Sequence, residues 1–148
     1  MWWLIRKRFA RGIDGDRIKR AIEDAERGTT GEIVVSVAPF FFGSVYAAAE
    51  RAFARLGVAR TRERNGVLLF VVPGRRQLAI LGDEAIHAKV GQEFWERVAA
   101  ATARRLGAGD ATGGIVDGVA EIGRELARWF PIGESGRVNQ LADDPEVG

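Results

Sequence analysis

Residues 66–81 read GVLLFVVPGRRQLAIL. Seven residues rich in β-branched and aromatic side chains run into Pro73-Gly74, a turn pair, and QLAIL returns as a second apolar run. This is a hairpin of two antiparallel strands, and its first strand has no alternation of polar and apolar residues. Such a strand needs cover on both faces. Upstream, residues 32–38 (EIVVSVA), bounded by Gly31 and Pro39, read as another buried strand. Between them, residues 44–56 place Tyr46, Ala49, Phe53 and Leu56 at helical spacing. Strand, helix, strand implies a parallel pair with a right-handed crossover.

Further helices complete the order. Residues 16–27 put Ile18, Ala21, Ile22 and Ala25 on one face, with Asp16 as the cap and Gly28 at the end. Asp83 or Glu84 opens a helical stretch that Gly91 breaks, and it resumes over 92–106. The last helix, 112–130, spaces Ile115, Val119, Ile122, Leu126 and Trp129 by 4, 3, 4 and 3, and Pro131 closes it. The order is α-β-α-β-β-α-α. The expected fold is a three-layer α/β/α sandwich around a small mixed sheet, a parallel pair plus an antiparallel hairpin strand. Gly114 and Gly118 are expected to bring the last helix close to the sheet. Three regions follow: a basic, aromatic segment over 1–13, one α/β domain over 14–131, and a polar tail over 132–148.

Composition removes several chemistries. The chain has 148 residues, 47% hydrophobic and 28% charged, which suits one globular domain. There is no cysteine and one histidine, His87, so thiolate chemistry and His-cluster metal sites are excluded. Gly91 stands at i+4 from His87, which reads as an ordinary helix-surface histidine. The net charge of +2 does not suit a nucleic-acid binder. The longest charge-free run, 33–49, holds Pro39 and Gly43 and falls short of a membrane span. The apolar start precedes its cations and does not read as a signal peptide, so the expectation is a cytoplasmic protein. Trp2 and Trp3 beside Arg6-Lys7-Arg8, and the run Phe40-Phe41-Phe42, are candidates for contact with a protein partner or a membrane surface.

Strand directions locate a candidate site. With the first two strands parallel, Glu32 and Asn65 share one end of the sheet. The third strand runs back, so Gly82-Asp83-Glu84 returns to that end. Glu32, Asp83 and Glu84 thus converge on one rim with Asn65 close by. Oxygen donors without His or Cys suit a hard cation, calcium or magnesium. The alternative is that Glu32 pairs with an arginine such as Arg62 or Arg64, while Asp83 only caps a helix. Asp110 is a further candidate metal ligand or a plain N-cap, and the helix before it can carry it to either end. Residues 107–114 (GAGDATGG) follow a helix instead of a strand and lack a GK[ST] ending, so they are not a phosphate loop.

Several stretches also resemble one family. Residues 30–37 (TGEIVVSV), 64–69 (RNGVLL), 76–82 (RQLAILG) and Gly109-Asp110 before a Gly-rich helix start resemble, in order and spacing, the TPM domain family. That family includes thylakoid lumen, photosystem II repair and receptor-modulator proteins. Residues 82–90 (GDEAIHAKV), Phe94-Trp95 and residues 139–144 (NQLADD) resemble a short, free-standing bacterial branch. The resemblance implies the sandwich fold. It also implies calcium binding, phosphatase or nucleotide-hydrolase activity, or maintenance of membrane complexes. Ala111 departs from the family, which has an aromatic residue after the Asp110 position. The leading expectation is a small accessory module binding a divalent cation, calcium first, through Glu32, Asp83, Glu84 and Asp110. The alternatives are a weak metal-dependent phosphatase and a protein- or membrane-interaction domain.

Overall fold

The structure is a computed structural model that describes residues 12–133, together with the backbone of 3–5. Trp2, the side chain of Trp3 and the tail beyond 133 lie outside the described residues. The elements run β1 (Trp3–Ile5), α1 (Gly15–Glu26), β2 (Glu32–Val37), α2 (Val45–Arg55), β3 (Gly66–Val72), β4 (Gln77–Gly82), α3 (Glu84–Val90), α4 (Gln92–Gly107) and α5 (Ala111–Trp129). The sheet order is β1-β2-β3-β4. β2 and β3 are parallel, with Glu32 opposite Gly66, and β3 and β4 are antiparallel, with Val67 opposite Gly82. The expected three strands are therefore present, and a fourth joins them. Trp3–Ile5 pairs in parallel with Val35–Val37 at the edge.

Every residue of β2 and β3 is buried, as an unalternating strand requires. The period of two sorts their side chains onto two faces. Ile33, Val35, Val37, Val67, Leu69 and Val71 meet α1, α3, α4 and α5 in the larger core. Val34, Leu68, Phe70 and Val72 meet Ala48, Ala49 and Ala52 of α2 in the smaller one. The small residues on α2 let one helix lie close against the sheet. Gly114 and Gly118 act differently from the expectation. A Cβ on either would press on Thr102 or Arg105, so they admit α4, not the sheet.

The caps fix the helix starts. Asp14, not Asp16, caps α1, because its Oδ1 accepts the Arg17 N–H at 3.1 Å. Ser44 caps α2, Asp83 caps α3 and Asp110 caps α5. The end of α5 is tied to the start of β2. The Thr29 hydroxyl donates to the Phe130 carbonyl at 2.6 Å, and the Thr30 N–H donates to the same oxygen at 3.0 Å. The end at which β2 and β3 begin is called the head of the sheet below.

Candidate functional site

The head of the sheet carries Glu32, Gly66 and Asp83 in one row. Glu32 pairs with Gly66, and the Asp83 N–H donates to the Gly66 carbonyl at 2.9 Å. By alternation all three face the α2 side, alongside Val34, Leu68 and Leu81. Both acids are buried, Glu32 to 1% and Asp83 to 5% exposure. Strand directions therefore do bring Glu32, Asp83 and Glu84 to one end, as the sequence implies. They do not bring Glu32 and Asp83 into one cage. Their backbones stand two strand spacings apart, about 10 Å. Between them a 3-10 turn, Val58–Arg60, lays the Val58 carbonyl where a Cβ of residue 66 would be. Only glycine fits at 66.

Asp83 is clamped. Its Oδ2 accepts Arg64 Nε at 2.6 Å, and its Oδ1 accepts both Arg64 Nη2 at 2.9 Å and the Glu84 N–H at 2.8 Å. Arg64 Nη1 also stands 3.4 Å from Glu84 Oε1. Hydrogen bonding to Asp83 raises the guanidinium's pKa, with Asp83 and Glu84 adding coulombic support against its partial desolvation. The Arg64 backbone is left-handed, at φ +53°, an uncommon conformation for this residue type. Of the two arginines in the sequence-based alternative, Arg64 is engaged by Asp83, which it shares with the helix cap.

Asn65 turns the other way. Its Nδ2 donates to Thr30 Oγ1 at 3.1 Å, and its buried Oδ1 accepts no hydrogen bond among the described residues. Asp110 is remote. α5 spans 19 residues, about 28 Å, and its far end is the one fastened at Thr29 and Thr30. Asp110 therefore lies at the opposite end of the domain from Asp83. There its Oδ2 accepts Arg105 Nη2 at 2.6 Å and its Oδ1 accepts the Gly113 N–H at 3.1 Å. The Arg105 hydrogen bonds, then the Gly113 N–H, hold its carboxyl below the ordinary value. Among the described residues, no three His, Cys, Asp or Glu side chains are grouped closely enough to hold a metal ion.

Two partners escaped the sequence reading. The half-buried His87 accepts the Trp95 indole N–H on Nδ1 at 3.0 Å, which ties α3 to α4. The only signal was the separation of eight residues, broken by Gly91. Glu26, on the apolar side of α1, accepts the Ile33 N–H at 2.7 Å and so steadies the start of β2. Its position one turn after Ile22 marks it as facing inward.

Comparison with known proteins agrees with this architecture. Residues 12–125 match the family model described as the TPM domain. No curated protein matches the chain. Among solved structures, the BA42 protein of the psychrophilic bacterium Bizionia argentinensis superposes with a TM-score of 0.75 at 30% identity, over 89% of this chain and 90% of that one. The N-terminal domain of the cg2496 protein of Corynebacterium glutamicum gives 0.59 at 17% identity, over 86% and 79%, a likeness of fold alone.

Proposed function

Since the chain belongs to the TPM domain family, we propose that it is a small accessory module whose head rim takes a divalent cation, calcium first, at Asp83 and Glu84. Likeness to the bacterial BA42 protein supports placing it in a bacterial branch of that family. The observation that carries the cation reading is the Arg64 clamp. A nearly buried carboxylate and an exposed one already share a single positive group at the solvent edge. The guanidinium stands in for the ion.

The four acids first expected as ligands do not fit one ion, because Asp110 is at the other end and Glu32 lies beyond Val58. Asp83 and Glu84 fit as a smaller oxygen set of the kind hard cations prefer. A bound cation would supply countercharge there in exchange for Arg64. That exchange keeps affinity low, since the ion pair must open first. A phosphohydrolase reading has less support. Asp83 is poorly placed as a general base while both of its oxygens accept charge-assisted bonds.

The test is a melting curve of the parent and of Arg64→Gln, each in calcium and in chelator. In chelator Arg64→Gln should melt lower, because Asp83 loses its partner. Calcium should raise the variant's midpoint more than the parent's. A ligand at 100 times its Kd adds about 2.7 kcal/mol. If the calcium shift of Arg64→Gln is no larger than that of the parent, the rim is not the site.

A further inference from the structure

The far end of the sheet, where β2 and β3 finish, exposes what the head buries. Among the described residues four large apolar side chains are exposed, and three of them, Phe40, Phe42 and Tyr46, fall within seven positions. Phe42 is 75% and Phe40 51% exposed. They are held in place. The two rings meet edge to face with centroids 5.2 Å apart, and Arg51 Nη2 donates to the Phe42 carbonyl at 3.1 Å. The loop ends in Gly43, at φ +74°, and Ser44, which caps α2.

Cations surround this tip. The β3–β4 turn lies beside it, with Gly74 next to the Pro39 carbonyl. Arg75 sits over the Phe41 ring, 5.1 Å from its centroid, and Arg76 follows in a left-handed conformation. β1 finishes at this same end, with Ile5 opposite Val37. Of the acids of this end, Asp14, Asp16, Asp110 and Asp117 belong to α1 and α5 on the other side of the sheet, and Glu50 stands on α2 beside Arg51. Arg105 pairs with both Asp110 and Asp117, offsetting one of their two charges.

We infer that this end docks on an anionic lipid surface, with Phe40 and Phe42 entering the boundary between headgroups and acyl chains and Arg75 and Arg76 on the headgroups. A projecting aromatic tip ringed by cations suits a deformable, negatively charged plane. The rings add apolar area and the arginines add charge, two signals where either alone binds weakly. The inference is independent of the cation at the head.

The experiment is co-sedimentation of the full chain with phosphatidylglycerol vesicles and with phosphatidylcholine vesicles, in chelator so that calcium bridges nothing. The chain should pellet with the anionic vesicles, much less with the neutral ones, and less again at high salt. Phe40→Ser/Phe42→Ser should weaken binding at least about tenfold, and Arg75→Glu/Arg76→Glu should do the same, both with parent-like melting. No pelleting, equal pelleting with both lipids, or a Phe variant that binds like the parent would each overturn the inference. So would vesicle-free sedimentation showing a dimer that the Phe variant loses, since a second copy would then be the occupant.

Discussion

At the head of the sheet a Cβ on Gly66 would collide with the Val58 backbone, whereas at the far end Gly74 has its nearest neighbour, the Pro39 carbonyl, 3.9 Å from where a Cβ would sit. The same contrast runs through the side chains. Asp83 is 5% exposed and clamped, while Phe42 is 75% exposed. Both ends also hold an arginine on a helix-capping aspartate. The two arginines are about equally exposed, but Arg64 grips the buried Asp83, whereas Arg105 grips the exposed Asp110 and Asp117. Identical chemistry therefore does different work. Where water is excluded a charge without its partner is costly, and where water has access solvent replaces most of the pair. The head is where the fold is held together, and the far end is free to engage something else.

The largest effect expected from that contrast is Gly66→Ala. The Val58 peptide is backbone and cannot swing aside, so either the 3-10 turn or β3 must move. A loss of about 3 kcal/mol is expected, at the upper end of overpacking costs. Urea unfolding measures it. A loss below about 1 kcal/mol would mean that the head is looser than the contact implies. Asp83→Ala should come next, at about 2 kcal/mol, from a lost cap and a lost charged hydrogen-bond pair. That is a fall in Tm of roughly 4–8 °C.

Asp110 gives the smaller counterpart, read through pH. Its carboxyl is held below its ordinary value of 3.8, so it binds its proton less readily folded than unfolded. The stability it contributes is present above that ordinary value and is lost as pH falls through the depressed folded one. Melting of the parent and Asp110→Asn should therefore differ slightly near neutrality and converge as pH falls below the ordinary carboxyl value and through the depressed folded one. A difference that persists unchanged into acid would show that the Asp110 charge is not what Arg105 holds.

How much of this was legible depended on periodicity. The unbroken apolar run of β3 gave the buried strand, and the strand directions placed Glu32 and Asp83 at one end. Nothing periodic marks Val58–Arg60, so the turn that separates those two acids was invisible. β1 was missed because Trp-Leu-Ile is three residues long and runs straight into cations, and only pairing with β2 makes it a strand. Asp110 could be placed only once the hydrogen bonds of Thr29 and Thr30 fixed the other end of α5. Arg64 could not be told from Arg62 in sequence. The left-handed turn at Arg64, which swings its guanidinium onto Asp83, is set by the loop before β3 and carries no pattern in the sequence.

The smallest effect sharpens the contrast most. Phe40→Ser/Phe42→Ser removes two large apolar side chains, a change that in a core costs several kcal/mol. Here the rings contact each other and water more than the interior, so the folded state gives up little burial. The loop keeps its fastening, because Arg51 binds the Phe42 carbonyl and not its ring, and Ser44 still caps α2. The expected change is within about 0.5 kcal/mol, as for surface substitutions generally. Paired urea curves with an unchanged slope would check it. A loss of 2 kcal/mol or so would place the rings in the smaller core beside Phe70 and remove the contrast between the two ends. An unchanged midpoint would leave two phenylalanines that the fold does not need for its stability.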